Sequence, residues 1–237
     1  MNIGVLGAKG GVGSSILSLS LSKFLEKENK IMIADGDWGK RSLDIFLNQE
    51  PLVYDFYNLI KGNKKGMTKI TENLYYTPAS LSKSFYEIEK SECKNLFQSF
   101  QKEFSHSIID FSTKSGRELE VFLPFLDKIL LIASENKVSL KNGEGLFLYL
   151  KQKRVDVEII VNGVNDSSTL DHWIKKYLPR WEEYHIIRYC DLKFKENGSI
   201  QDLPLDEVKR VWQEIKDGQW ENPRIDPPTF WERLRRK

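Results

Sequence analysis

The sequence predicts one α/β domain with a mostly parallel sheet and helices on both faces. Seven short runs have the length and apolar content of strands, and segments with apolar residues at helical spacing lie between them. Strands that alternate with helices in this way form crossover units, which bury a parallel sheet on both faces. A glycine-rich turn after the first strand adds a third observation, because it places backbone amides at the carboxyl end of the sheet.

The predicted elements follow one another along the chain. Strands are predicted over residues 2–6, 31–34, 74–77, 107–109, 128–133, 157–161 and 185–188. Helices are predicted over residues 14–28, 43–47, 53–60, 84–100, 140–151, 170–177 and 205–216. We place the sheet domain at residues 1–205. We expect residues 206–237 to form a C-terminal helix and a basic tail rich in proline and tryptophan.

The charge balance argues against a chain dominated by nucleic-acid binding, and we expect no sequence-specific nucleic-acid partner. Lysine and arginine total 36 against 34 aspartates and glutamates, which leaves a net charge of +2. Two cysteines, Cys93 and Cys190, are too few for a disulfide framework or a zinc site, so we expect free thiols. We find no run of about 18 apolar residues and no signal-peptide pattern, which predicts a cytoplasmic protein with at most a peripheral membrane contact.

The most informative segment is the glycine-rich stretch over residues 7–15, which reads GAKGGVGSS. It follows a strand and opens a helix, the context in which such loops bind phosphate. Glycines let successive backbone N–H groups converge on an anion, and the helix N-terminus adds partial positive charge. The Ser15 hydroxyl occupies the position of an Mg²⁺ ligand. The expected phosphate contacts come from Gly10, Gly11, Val12, Gly13, Ser14 and Ser15.

One residue departs from the general phosphate-loop pattern, in which a lysine precedes the final serine or threonine. This chain has Ser14 at that position. A charge-assisted contact contributes ~1.5–3 kcal/mol, so its loss weakens phosphate binding by roughly tenfold to 150-fold. We expect hydrolysis to suffer more, because that lysine stabilises charge in the transition state. Two alternatives stay open: a tight glycine turn that binds no ligand, and an inherited scaffold that has lost its nucleotide.

The loop resembles that of the MinD/ParA family of P-loop ATPases, which reads KGGxGK[ST]. Lys9 matches the family's signature lysine, which reaches across a nucleotide-sandwich homodimer to the partner's phosphates. The resemblance implies ATP and Mg²⁺ as ligands, a homodimer, and a catalytic role for Lys9. With serine at position 14 the loop is most similar to the TadZ/CpaE branch, whose members act in pilus assembly and often lack the second lysine.

Three aspartates extend this resemblance. Residues 35–44, DGDWGKRSLD, are similar to the first switch region of MinD, which reads DxDxGxRxLD. The resemblance implies that Asp35 lies near Mg²⁺ and that Asp37 orients the attacking water. Asp110 matches the carboxylate that holds Mg²⁺ through water in the second switch region, although the proline that follows in the family is absent here. Helix capping and loop solvation are the alternative roles of Asp35 and Asp37.

Two further residues have roles that the sequence leaves open. Asn162 ends a predicted strand where the family reads the adenine edge, and a side-chain amide offers both a donor and an acceptor. The dipeptide Asn162-Gly163 is equally typical of a turn. Lys114, which follows the second switch region, either replaces the missing loop lysine or is a solvated loop residue.

The sequence therefore predicts an ATP-binding, dimerising positioning or assembly factor of the MinD/ParA type with slow or absent hydrolysis. Its expected partners are a second copy and the proteins of a localisation, secretion or pilus machine. The alternative is a pseudo-ATPase scaffold that docks proteins without nucleotide turnover. Residues 229–237 place three apolar side chains beside four cations, and this tail either binds an anionic membrane or packs on the globule.

Overall fold

The computed structural model describes residues 1–49, 52–81, 87–113, 117–165, 167–178, 181, 183–189 and 202–218. The strands are β1 (Asn2–Gly7), β2 (Ile31–Asp35), β3 (Thr68–Lys69), β4 (Leu74–Thr77), β5 (His106–Ser112), β6 (Lys128–Ser134), β7 (Val157–Val164) and β8 (His185–Arg188). The helices are α1 (Ser14–Leu25), α2 (Ser42–Phe46), α3 (Phe56–Ile60), α4 (Lys90–Glu103), α5 (Arg117–Glu120), α6 (Lys137–Gln152), α7 (Ser167–Tyr177) and α8 (Leu205–Asp217). Short 3₁₀ turns occupy Lys64–Gly66 and Leu123–Phe125.

The eight strands form one sheet in the order β3-β4-β2-β5-β1-β6-β7-β8. The pairs are parallel apart from the antiparallel pair of β3 and β4. All six residues of β1 and all five of β2 are buried, as expected of strands covered on both faces. The predicted α/β class with a mostly parallel sheet is confirmed.

Side chains of successive residues of β2 pack into two of the apolar clusters of the core, which lie on opposite faces of the sheet. On β2, Met32 and Ala34 belong to the first cluster, and Ile31 and Ile33 belong to the second. This alternation follows from the two-residue period of a strand. The first cluster includes residues of α3, α4 and α6, and the second includes residues of α1 and α8.

Helix α1 begins directly after the glycine-rich loop and lies in the core. Its side chains are buried on most of its surface, including Ser18, Ser20 and Ser22, which are fully buried. Each of these hydroxyls donates to the carbonyl oxygen four residues earlier, at 3.0, 2.7 and 2.7 Å respectively. Because the bonds stay within the helix, small polar side chains are accommodated in the core without unpaired hydroxyls.

Helix α8 packs against α1 although it begins at the domain boundary that the sequence analysis drew at residue 205. Val208, Val211 and Trp212 are buried in the cluster that also contains the apolar residues of α1. The imidazole Nδ1 of the buried His185 on β8 lies 2.8 Å from a carboxylate oxygen of Glu214. The helix thus shares the core of the sheet domain, while the boundary itself stays a prediction.

Local capping explains where two helices begin later than predicted. Helix α3 begins at Phe56, because the carboxylate of Asp55 accepts a hydrogen bond at the helix N-terminus. Helix α4 begins at Lys90, where the Glu92 carboxylate accepts a hydrogen bond from the Glu89 amide at 2.9 Å. Strand β3 and helix α5 were not predicted, because two and four residues are too few to show a period.

Within the described residues, no helix is both long enough and apolar enough to cross a bilayer. Cys93 is a free, buried thiol. Cys190, the second thiol expected to be free, lies outside the described residues. Lys114 and the tail over residues 219–237 also lie outside them.

Substitution Trp212→Ala tests whether α8 folds as part of the sheet domain. Trp212 is 5% exposed, and truncation of a buried tryptophan costs about 3–5 kcal/mol. We expect urea unfolding to show one transition with the free energy lowered by that amount. The matched control is Gln213→Ala on the exposed side of the same helix, which should change stability by less than about 0.5 kcal/mol. An unchanged unfolding energy for Trp212→Ala would show that α8 unfolds independently of the sheet.

Candidate functional site

The glycine-rich loop joins β1 to α1 at the carboxyl edge of the sheet. Gly11 and Gly13 have φ values of +77° and +88°, which lie in the left-handed region that only glycine adopts at low cost. Gly13 is the N-cap residue of α1, and no side chain caps the helix there. The amides of the first helical turn therefore lack a capping side chain, which leaves them able to bind an anion.

Asn162, at the carboxyl end of β7, clamps this loop. Its side-chain Nδ2 donates a hydrogen bond to the carbonyl oxygen of Val12 at 2.8 Å. A Cβ atom on Gly13 would lie 2.4 Å from the same Nδ2, so the close approach requires glycine. The sequence is compatible with two roles for Asn162, adenine recognition and a turn. In the structure one N–H of this amide is bonded to the glycine-rich loop, a contact that was not predicted.

Two buried aspartates lie side by side next to the loop. Asp35 ends β2 and pairs in register with Asp110 on the adjacent parallel strand β5. Both side chains are fully buried. One oxygen of Asp35 accepts from the Asp37 amide, and one oxygen of Asp110 accepts from the Ser112 amide, both at 3.0 Å. The second oxygen of each carboxylate has no hydrogen-bond partner among the described residues.

Burial dominates the electrostatics of this pair. It raises the pKa of Asp110 to about 6, partly offset by hydrogen bonds from the Ser15 hydroxyl and the Ser112 amide. Burial also raises the pKa of Asp35 well above its usual range, and the charge of Asp110 raises it further. Two buried carboxylates that disfavour their own ionisation at neutral pH are suited to a bound cation, which would stabilise the charged forms.

The residues of this site fit a hard divalent cation such as Mg²⁺. The two unpaired carboxylate oxygens and the Ser15 hydroxyl supply oxygen ligands, which Mg²⁺ prefers and commonly supplements with several waters. Within the described part of the chain, no group of three histidine, cysteine or carboxylate side chains forms a metal site. The arrangement is therefore suited to a metal that arrives with water and a phosphate ligand rather than to an all-protein cage.

A cleft opens on the other side of the loop, at the carboxyl ends of β6 and β7. Its volume of about 430 Å³ lies within the range of small-molecule sites. Its lining includes loop glycines together with residues that the sequence analysis did not single out, namely Ile16, Glu135, Asn136, Asn165 and Pro204. These residues carry no recognisable motif, and only the position of Asn136 and Asn165 just beyond the apolar runs of β6 and β7 pointed to this edge of the sheet.

Comparisons with known proteins bear on the fold. No family model matches the chain. A protein from Methanocaldococcus jannaschii described as an uncharacterized ATP-binding protein is 29% identical over 147 residues, which is 59% of this chain. The match spans 55% of that relative's length.

Solved structures match almost the whole chain. A putative plasmid partition protein from Borrelia burgdorferi bound to AMPPNP superposes with a TM-score of 0.74 at 17% identity, over 92% of this chain and 98% of that one. MinD from Pyrococcus horikoshii with Mg-ADP superposes with a TM-score of 0.72 at 13% identity, over 93% and 98%. The fold is that of the MinD/ParA P-loop ATPases. The MinC:MinD complex from Aquifex aeolicus also matches, with a TM-score of 0.72 at 18% identity over 90% and 96%.

In this MinD/ParA fold, the predicted site residues from four separate segments converge on one edge of the sheet. The loop residues Gly10 to Ser15 meet Asp110 through Ser15 and meet Asn162 through Val12. Ser14 is buried, and Lys9 is half-buried. Asp37 is also buried, and its carboxylate lies 3.7 Å from Nζ of Lys40. The roles of these residues remain predictions.

The segment over residues 35–44 is held in place by its arginine. Arg41 donates from Nε to the carbonyl oxygen of Ala79 at 3.0 Å and from Nη1 to that of Leu52 at 3.1 Å. It also pairs with Asp44, which accepts a hydrogen bond from the buried Tyr76 hydroxyl. The segment that carries Asp37 is thus anchored to the end of β4 without any ligand.

Substitution Asp110→Asn should stabilise the ligand-free protein at neutral pH. The folded pKa of Asp110, about 6, exceeds the usual 3.8, so the folded state binds the proton more tightly. The ionised carboxylate then costs up to about 3 kcal/mol above pH 6, and the cost disappears as the pH falls towards 4.

Denaturant unfolding at pH 7.5 and pH 4 checks this expectation. We expect Asp110→Asn to gain stability at pH 7.5 and to gain less than about 1 kcal/mol at pH 4. The control is Asp171→Asn, which removes a carboxylate of the exposed ion pair with Lys175 and should show no such pH dependence. An equal gain at both pH values would contradict the electrostatic explanation.

The clamp role of Asn162 is separable from base recognition. Substitution Asn162→Ala should weaken binding of Mg-ATP and of Mg-tripolyphosphate by the same factor, about three- to tenfold for one neutral hydrogen bond. Tyr189→Ala is the control, because Tyr189 lines the cleft and not the loop, and it should weaken only ATP. Calorimetry with both ligands measures the two factors. If Asn162→Ala weakened ATP alone, base recognition would replace the clamp.

Proposed function

We propose that this protein is an ATP-binding, dimerising positioning or assembly factor of the MinD/ParA type, with slow or absent hydrolysis. The observation that carries the proposal is the juxtaposition of an uncapped phosphate loop with two buried carboxylates, each with one unpaired oxygen. This combination supplies backbone donors for phosphate and oxygen ligands for Mg²⁺ at the same place. The ATP-binding relative and the nucleotide-bound structures of the same fold support it.

Each residue has a defined role in this proposal. The backbone amides of residues 10–15 bind the phosphates, and Ser15, Asp35 and Asp110 hold Mg²⁺. When bound, Mg²⁺ neutralises charge on the phosphate oxygens. Asp37 orients the attacking water if hydrolysis occurs, because it lies beside these carboxylates and influences the pKa of both. The cleft beyond Asn162 receives the base and ribose.

Ser14 is the reason to expect slow turnover. Its hydroxyl carries no charge, so the loop lacks the cation that stabilises the transition state of phosphoryl transfer. By resemblance, Lys9 supplies a cation to the second copy across a nucleotide-bound dimer. The same serine supports a role close to that of the TadZ/CpaE branch, in which binding rather than turnover controls assembly of a pilus or secretion machine.

We place the protein in the cytoplasm, with protein partners at a membrane-associated or polar machine. The plasmid partition and MinC:MinD structures that share its fold are consistent with a homodimer that recruits other proteins. The basic tail over residues 229–237 is the proposed peripheral membrane contact and lies outside the described residues.

A pseudo-ATPase scaffold is the second candidate. The specific observation that favours it is the uncharged Ser14 in a loop that otherwise keeps its glycines. In that case the fold serves as a docking platform, and nucleotide affects neither its stability nor its assembly.

Calorimetry of Mg-ATP binding to the full chain, with sizing of the same samples, separates the two candidates. Micromolar binding with a shift to a dimer supports the proposed function. Substitution Lys9→Ala should then weaken the ATP-dependent dimer while the monomer keeps its fold. No binding up to millimolar Mg-ATP, with an unchanged melting temperature, would reject the ATP-dependent factor in favour of the scaffold.

A further inference from the structure

The site has a deficit of positive charge that Mg²⁺ alone does not correct. Three buried aspartates, Asp35, Asp37 and Asp110, lie next to the loop that is proposed to bind a polyanion. Position 14, which normally supplies a lysine, is a buried serine. A second cation from the same chain would strengthen ATP binding, since the proposed role of Lys9 is toward the second copy.

Among the described residues, the first switch segment presents two cations beside these aspartates, Lys40 and Arg41. Arg41 is committed to structure, since its guanidinium binds two carbonyl oxygens and pairs with Asp44 while its side chain is only 16% exposed. The Lys40 side chain is 69% exposed, and its only described partner is a carboxylate oxygen of Asp37 at 3.7 Å. The Asp37 carboxylate is buried, but the Lys40 ammonium group is solvent-exposed and 3.7 Å away, so the pair contributes little stability and the ammonium group is available for a closer anion.

The backbone beneath Lys40 is fixed, which gives the side chain a defined origin. Its amide donates to the carbonyl oxygen of Asp37 at 3.0 Å, and the Gly39 amide donates to that of Ser80 at 2.9 Å. Gly39 has a φ value of +90°, which closes the turn. The Asp37 amide donates to the Asp35 carboxylate at 3.0 Å, and Asp35 is the in-register neighbour of Asp110, so this turn lies beside the carboxylate pair next to the loop.

We propose that Lys40 supplies, within the same chain, the phosphate-binding cation that position 14 lacks. The inference rests on the proposed function, because it concerns the same nucleotide site. In the ligand-free protein Lys40 neutralises Asp37, and on binding its flexible four-carbon stem carries the ammonium to the phosphate oxygens.

The test is calorimetry of Mg-ATP binding to four full-length proteins: the natural chain and the variants Lys40→Ala, Ser14→Lys and Ser14→Lys/Lys40→Ala. We expect Lys40→Ala to weaken binding by about tenfold or more, as for loss of one charge-assisted contact. In the Ser14→Lys background the same substitution should change affinity less than about twofold, because the loop then carries its own cation. Lys175→Ala, another exposed lysine paired with an aspartate, should leave affinity unchanged.

Each other outcome overturns the inference. Equal affinity of Lys40→Ala and the natural chain shows that Lys40 does not contact phosphate. A loss of the same size in both backgrounds shows that Lys40 acts independently of position 14. Absence of binding by the natural chain rejects the proposed function and this inference with it, whereas binding by the natural chain with no effect of Lys40→Ala rejects the inference alone.

Discussion

The structure of the site depends on two carboxylates held out of water by a parallel sheet. The register of β2 and β5 places Asp35 beside Asp110. Both carboxylates are fully buried, so no water stabilises their ionised forms. A fold with two apolar side chains at these positions would be more stable, because the buried carboxylates lower the stability of the folded state. The two carboxylates are surrounded by hydrogen-bond donors, namely the amides of Asp37 and Ser112 and the Ser15 hydroxyl.

Two short hydrogen-bonded contacts to backbone carbonyl oxygens hold the segments of the candidate site together. Asn162 joins the end of β7 to the loop at Val12, and the absence of a side chain at Gly13 allows that contact. On the opposite side, the Gly36 amide donates to the carbonyl oxygen of Asp110 at 2.8 Å, which ties the first switch segment to β5. These contacts join the candidate site to two strands of the sheet, to β7 through the loop and to β5 through residue 36.

The fold class and most of the site were predictable because they depend on local patterns. Apolar strands, helical spacing and a loop of four glycines are visible in the sequence, as are Asp35 and Asp110 at strand ends. The contact of Asn162 with the loop was not predictable, because Asn162 and Val12 are 150 residues apart and no local pattern indicates that they meet. The pairing of Lys40 with Asp37 was equally hidden, since charged residues three apart in a loop have no fixed geometry until the turn is known.

Strand β3 limits how this molecule can associate with others. It contains only two residues, Thr68 and Lys69, and it runs antiparallel at one margin of an otherwise parallel sheet. A neighbouring chain that tried to extend the sheet there would gain a hydrogen-bonding template of two residues, one of them a charged lysine. Continuous cross-molecule sheets and fibrils are disfavoured at that margin.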